Sequence, residues 1–117
     1  MKRVSFEVAK AIKEAGYPQW SVEEADDNKK AYDFEGELWP IRYFDQNPQD
    51  YYSSPYAKDV WLWLWREKKK DIDILRYLCY YGMKAFIHIN GELKGFNDPE
   101  DAIIEGIEYL VDNNLIK

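Results

Sequence analysis

Cys79 and His88 are the two side chains best suited to covalent chemistry, and each is the only residue of its type in the chain. Both fall on neighbouring predicted strands, where a cysteine and a histidine can form a nucleophile–base pair. No known motif surrounds either residue, and a cysteine also serves as a small buried apolar side chain. The sequence therefore predicts no catalytic residue. The alternative stays open that the chain is an enzyme using this pair, or that it binds a small ligand in a cleft lined by Tyr80 and Tyr81.

The sequence contains no motif for a metal or a cofactor. One histidine and one cysteine cannot build a zinc site. The pairs Asp71 with Asp73 and Glu35 with Glu37 could each share a cation, but such pairs arise by chance in a chain with 22 Asp and Glu residues. The glycines are scattered, so they form no phosphate-binding loop, and no Gly-x-Ser-x-Gly element occurs. We therefore predict no metal and no cofactor.

The strongest pattern in the chain is a tryptophan-rich helix over residues 54–69. At about 100° per residue, four apolar positions form one stripe, which predicts the buried face: Ala57, Val60, Trp61 and Leu64. Leu62 and Trp65 fall together on the opposite flank. Trp63 lies well away from the stripe, on the side of Tyr56.

Two interpretations of these surplus apolar residues remain. In the first, the loop of residues 43–52 folds over the flank and buries it. In the second, the flank binds a partner protein or a second copy of the chain, because Trp and Tyr are favoured at interfaces. The candidate interaction residues are Leu62, Trp65, Trp63 and Tyr56.

Start and stop signals predict the secondary structure around this helix. Ser5, Ser54 and Asp98 are predicted N-caps of three helices, which end near Gly16, Lys69 and Asn113. The predicted strands cover residues 31–34, 38–44, 72–79, 83–89 and 92–96. Asn90-Gly91 predicts a tight hairpin turn, and Pro40 should keep its strand at a sheet edge. Residues 19–30 and 45–53 are expected to be loops.

This order of elements predicts an α+β fold. Strands joined by short turns pair antiparallel, and helices must cover a sheet face. We therefore predict a single domain over residues 1–117, with an antiparallel sheet of about four to five strands and three helices packed mainly on one face.

Charge and cysteine content narrow the functional classes. With 16 Lys and Arg against 22 Asp and Glu, the net charge is −6, which disfavours binding to nucleic acid. An acidic DNA-mimicking inhibitor is an alternative, although acids and bases are mixed, as in Asp26-Asp27-Asn28-Lys29-Lys30.

A single cysteine allows no disulfide within the chain. The longest apolar run, residues 60–65, is too short to span a bilayer. We therefore expect a cytoplasmic protein without a membrane partner.

Three segments resemble a group of small phage and prophage proteins of gut bacteria. They are VSFEVAKAIKEAGYPQW at residues 4–20, YSSPYAKDV at residues 52–60 with Trp63 and Leu64 following, and DPEDAIIEGI at residues 98–107. Together they cover about a third of the chain. The group usually has polar residues at the positions of Leu62 and Trp65, so that flank is a departure from its pattern. The resemblance implies a phage or mobile-element origin and a place in the bacterial host cytoplasm, and it implies no catalytic residue.

These observations favour a non-enzymatic protein-interaction module over an enzyme. The expected partner is a host protein or the chain itself, for example in a homodimer. The alternatives are a small-ligand binder or an enzyme using Cys79 and His88 or the tyrosine-lined cleft, and the acidic DNA mimic.

Overall fold

The computed structural model describes residues 1–24, 28–44, 51–68, 85–89, 92–96 and 98–116. Their contacts group the chain into two compact units, Arg3–Tyr56 and Met1–Lys2 with Ala57–Lys117. We call them the N-terminal and the C-terminal unit and describe each by itself. The single domain over residues 1–117 stays a prediction.

In the N-terminal unit, helix α1 spans Phe6–Glu14. The side chain of Ser5 caps it by accepting a hydrogen bond from the backbone N–H of Val8 at 3.4 Å. Gly16 follows the helix with a φ of 100°, a left-handed conformation that ends many helices. Both signals were predicted. The buried face of α1 consists of Val8, Ala9 and Ile12.

Strands β1 (Lys30–Tyr32), β2 (Leu38–Pro40) and β3 (Tyr52–Ser53) form an antiparallel sheet in the order β2-β1-β3. Ala31 pairs with Trp39 on one side and with Ser53 on the other. The edge position of Pro40 is confirmed, since β2 lies at the margin of the sheet. The predicted strand 38–44 ends early: after Pro40 the chain turns into a 3₁₀ helix at Ile41–Tyr43. Strand β3 lies in what was predicted to be a loop.

A small buried core and a cluster of half-buried aromatic rings hold this unit together. Ala31, Ile41 and Tyr51 are fully buried, with Trp20, Val22 and Phe44 packed against them. On the other face of the sheet, the Phe6 ring lies 5.7 Å from that of Tyr32 and 5.8 Å from that of Tyr52. This contact joins α1 to the sheet.

In the C-terminal unit, helix α2 spans Ala57–Glu67. The prediction that Ser54 caps this helix is wrong. Ser54 is fully buried, the carbonyl of Pro55 accepts a hydrogen bond from the N–H of Val4, and Tyr56 forms an antiparallel bridge with Arg3. Pairing with the start of the chain therefore keeps residues 54–56 extended, although they carry a local helix-start signal.

Strands β4 (Ala85–Ile89) and β5 (Glu92–Phe96) form an antiparallel hairpin with Ile89 paired to Glu92. This confirms the predicted hairpin pairing, while Asn90 and Gly91 themselves lie outside the described residues. The predicted strand 72–79 lies outside them as well.

Helix α3 spans Pro99–Asp112 and packs against α2 and β4. Asp98 caps it by accepting a hydrogen bond from the N–H of Glu100 at 2.9 Å, as predicted. Helical spacing predicts a buried stripe for this helix, and four of its six members are buried while the last two are half-buried: Ala102, Ile103, Gly106, Ile107, Leu110 and Val111. The Lys2 ammonium contacts the carboxylates of Asp98 and Asp101 at the start of this helix.

The α+β class and the antiparallel pairing are confirmed. Within the described residues, however, five strands are distributed over two sheets, whereas one sheet was predicted. The same residues hold three α-helices, and none of these is long and apolar enough to cross a membrane.

Candidate functional site

Helix α2 separates a buried stripe from an exposed face. Ala57, Val60 and Leu64 are fully buried, as predicted from their spacing. Trp61, which was predicted to belong to the same core stripe, is only half-buried. Its indole Nε1 is nonetheless buried, and no hydrogen-bond partner for it occurs among the described residues.

The opposite flank of α2 presents Trp65 with 58% of its surface exposed. Residues 45–50 lie outside the described residues, so burial of this flank by the loop of residues 43–52 stays a prediction. Leu62 is half-buried and lies about 60° around the helix from Trp65. Asp59 and Arg66 are exposed and lie about 60° and about 40° around the helix from Leu62, on the side away from Trp65. We call Asp59, Leu62, Trp65 and Arg66 the α2 face.

The other two predicted interaction residues do not belong to the α2 face. Trp63 is half-buried, and the Lys68 ammonium lies 5.6 Å from its ring centroid. Tyr56 belongs to the N-terminal unit, where the Arg3 guanidinium lies 4.6 Å from its ring centroid. Both rings thus contact a cation of their own unit.

The catalytic alternative is not tested by the structure. Cys79, Tyr80 and Tyr81 lie outside the described residues, and His88 lies on β4 opposite Leu93. Within the described part of the chain, no group of three or more His, Cys, Asp and Glu residues could hold a metal ion. An enzyme using Cys79 and His88 therefore stays a prediction.

A second candidate site lies in the N-terminal unit, where the β1–β2 turn brings Asp33 beside Trp39. The N–H of Gly36 donates to the Asp33 carbonyl at 3.1 Å, and Gly36 has a φ of 88°. This is a tight turn closed by a left-handed glycine. The Asp33 carboxylate accepts hydrogen bonds from the N–H groups of Glu35 at 2.9 Å and Glu37 at 3.0 Å. Its second oxygen accepts from the Trp39 indole at 3.0 Å.

The 3₁₀ helix after β2 returns two more aromatic rings to the same place. Ile41 anchors it, being fully buried and donating its N–H to the Lys29 carbonyl at 3.0 Å. The Tyr43 ring then lies 6.4 Å from the Trp39 ring at an interplanar angle of 78°. Phe44 packs 5.0 Å from buried Tyr51.

Together Asp33, Trp39, Tyr43 and Phe44 line a cleft of about 290 Å³, which we call the aromatic cleft. Trp39 is 43% and Tyr43 67% exposed, so two of its walls are accessible to a ligand. Exposed aromatic side chains that line a concave cleft beside a polar group are typical of ligand-binding sites.

Electrostatics keep the cleft negative. The N–H of Glu37 is the main cause that lowers the pKa of the Asp33 carboxyl, and the Trp39 indole and the N–H groups of Glu35 and Gly36 lower it further. These donors stabilise the ionised form more than partial desolvation disfavours it. Asp33 therefore carries its negative charge throughout the physiological range.

The sequence contained a signal for the aromatic cleft that periodicity does not detect. Aspartate at the first turn position and glycine three residues later are typical of a tight hairpin turn with a bulge. The predicted turn, Glu35-Gly36-Glu37, lacked Asp33. With residues 38–44 taken as one strand, Trp39 and Tyr43 were placed on the same extended segment, about four residues apart, and not on two walls of one cleft.

Comparisons of the chain with protein-family models, with curated proteins and with solved structures found no match.

Proposed function

We propose that this chain is a non-enzymatic protein-interaction module whose partner is a second copy of itself, bound through the α2 face. The observation that carries the proposal is the 58% exposure of Trp65 on a helix whose opposite stripe is fully buried. Tryptophan is the residue type most enriched among those that dominate binding energy at interfaces. The buried stripe fixes the helix, so the exposed side chains are presented in a defined order.

Charge complementarity favours a second copy of the chain as the partner. Asp59 lies near the start of α2 and Arg66 near its end, with Leu62 and Trp65 between them. If two α2 helices pair antiparallel about a two-fold axis, Asp59 of each copy meets Arg66 of the other. Such an isologous contact forms twice in one dimer.

Light scattering after size-exclusion chromatography over a range of concentrations tests this association. We expect the wild-type chain to form a dimer and Trp65→Glu to weaken it by about 2 kcal/mol or more, which is about 30-fold in Kd. The matched control is Trp39→Glu, which places the same substitution at an exposed tryptophan of the N-terminal unit and should leave the dimer intact. A wild-type chain that is monomeric at every concentration would contradict self-association.

Charge reversal tests the antiparallel arrangement separately. Asp59→Arg and Arg66→Asp should each weaken the dimer, because each places like charges opposite one another. The double variant restores opposite charges and should regain most of the wild-type affinity. If the double variant is weaker than either single variant, the two residues do not face each other.

We also propose that the protein originates from a phage or mobile element and works in the cytoplasm of a bacterial host. The support is the resemblance of residues 4–20, 52–60 and 98–107 to small phage proteins. A host protein is then the alternative partner. Two results together would identify a host protein, and not a second copy of the chain, as the partner of the α2 face. The wild-type chain would be monomeric and bind a purified host protein, and Trp65→Glu would abolish that binding. Phage genes adjoining the coding gene would support the origin.

A further inference from the structure

We propose that the aromatic cleft binds a quaternary or methylated ammonium group. This inference concerns the N-terminal unit alone and does not depend on self-association through α2. It combines the arrangement of the aromatic rings, the single carboxylate beside them and the balance of charge around the cleft.

The ring geometry favours a compact cation over a flat ligand. Trp39 and Tyr43 are close to perpendicular, at 78°, and line the same cleft. Coplanar rings form a platform for stacking sugars or bases, whereas perpendicular rings form two walls around a rounded group. A cation within about 6 Å of a ring centroid is attracted by the negative ring face, most strongly by tryptophan.

The carboxylate of Asp33 adds the charge that a cationic ligand needs. It is ionised, and among the described residues that line the cleft it is the only charged one. The same turn carries the exposed Glu35 and Glu37, which add further negative charge at the rim. The wall composition therefore matches the aromatic recognition of quaternary ammonium groups.

The same composition disfavours a metal ion. Calcium and magnesium require several oxygen ligands, and magnesium also loses its water reluctantly. Asp33 supplies one carboxylate, and the other lining residues are aromatic. A methylated ammonium group is weakly hydrated and presents methyl groups to the rings, so it needs no oxygen shell.

Arg42 is the local feature that opposes a cationic ligand. Its guanidinium lies 5.5 Å from the centroid of the Tyr43 ring. It adds a positive charge beside the cleft and uses one ring face. The proposal therefore makes an unusual prediction: removal of this charge should strengthen binding. A neutral or anionic ligand would not gain from that change.

The test uses the indole N–H of Trp39 as a reporter, observed by NMR and assigned with Trp39→Phe. Because this N–H donates to Asp33, its chemical shift senses a cation at the carboxylate. We expect saturable shifts on titration with tetramethylammonium and with choline, measured at constant ionic strength. The control is 3,3-dimethylbutanol, the neutral analogue of choline with the same shape, which should cause no saturable shift. Comparison of choline with free trimethyllysine identifies which source of the group is preferred.

Variants of the aromatic cleft test separately how its charge and its shape contribute to tetramethylammonium binding. Asp33→Asn keeps one oxygen for the turn hydrogen bonds but removes the charge, and Tyr43→Leu removes one wall. Each should weaken tetramethylammonium binding by about tenfold or more. Arg42→Gln should strengthen it by severalfold. Phe34→Leu, at an exposed ring that contacts Tyr52 and does not line the cleft, should leave it unchanged.

Three results would overturn the proposal. They are equal binding of the neutral analogue, an absence of saturable shifts in the wild-type chain, and unchanged affinity in a folded Tyr43→Leu variant. If Asp33→Asn fails to fold, Tyr43→Leu and Arg42→Gln decide the question, because both changed side chains are exposed and lie outside the turn.

Discussion

The α2 face and the aromatic cleft both expose tryptophan, but they are built in opposite ways. The α2 face lies on one regular helix, whose buried stripe orients every side chain on the other side. The aromatic cleft combines a turn, a strand and a 3₁₀ helix, and each must take its own conformation before Asp33, Trp39 and Tyr43 meet. A site on a helix depends on core packing, whereas a site on connections depends on turn chemistry.

Leu64→Ala should produce the largest loss of stability, because the α2 face depends on the core beneath it. Leu64 is fully buried, and we expect its truncation to lower the free energy of unfolding by about 2–5 kcal/mol. Leu62→Ala is the matched control on the half-buried flank and should cost about 1 kcal/mol or less. Urea unfolding of both variants in a Trp65→Glu background excludes any contribution from association. Equal losses would show that Leu62 is a core residue.

Gly36→Ala should have the next largest effect and should act on the aromatic cleft. At a φ of 88° any side chain is strained, and a Cβ would lie 3.0 Å from Cδ2 of Phe6. Gly16→Ala is the matched control, because Gly16 has a φ of 100° but a Cβ added there would meet no atom within 4 Å. We expect Gly16→Ala to cost about 1 kcal/mol.

Urea unfolding should show a larger loss for Gly36→Ala than for Gly16→Ala. The difference between the two variants measures the contact with Phe6. If the two losses are equal, the Phe6 ring moves aside without cost and the turn tolerates the added methyl group.

The sequence predicted the parts of the fold that depend on local signals. The caps at Ser5 and Asp98, the buried residues of α3 and the β4–β5 pairing follow from spacing and turn residues that act within a few positions. Ser54 does not cap α2, because its conformation depends on a contact with a distant part of the chain. Residues 54–56 pair with the start of the chain, and no pattern within the segment indicates that contact.

The two candidate sites also differ in whether sequence periodicity predicts them. Helical periodicity placed Leu62 and Trp65 on one flank, and the exposure of Trp65 agrees with it. Asp33 and Trp39 are six residues apart and meet through one side-chain hydrogen bond across a hairpin turn. Neither the helical nor the strand period brings them together, so only the turn motif Asp-x-x-Gly could have predicted their contact.

Substitution of one tryptophan on α2 and one in the aromatic cleft compares a half-buried indole with an exposed one. Trp61→Phe removes a buried N–H that has no partner among the described residues, and an unsatisfied donor costs about 1–3 kcal/mol. That gain offsets the lost ring area, so the free energy of unfolding should stay the same or rise. Trp39→Phe removes an indole that donates to ionised Asp33, and should cost about 1 kcal/mol although Trp39 is more exposed.

Thermal unfolding of both variants gives the comparison. The expected order is unusual, because substitution of the more exposed tryptophan, Trp39, should lower the free energy of unfolding more than substitution of Trp61. A loss above about 2 kcal/mol in Trp61→Phe would mean that its indole does have a partner.

The smallest expected effect is a change in the pH dependence of stability that arises from the aromatic cleft. The N–H of Glu37, together with the Trp39 indole, holds the pKa of the Asp33 carboxyl below its value in the unfolded chain. A carboxyl group with a lowered pKa in the folded state stabilises the fold above the unfolded pKa, and this contribution is lost as the pH falls through the folded pKa. The stability difference between the wild-type chain and Asp33→Asn should therefore narrow as the pH falls through that acidic range. NMR titration of the Asp33 carboxyl carbon, compared with the urea-unfolded chain, measures the shift directly. An Asp33 that titrates alike in both states would mean that its hydrogen bonds do not favour the ionised form, and the α2 face would then be the better-supported binding site.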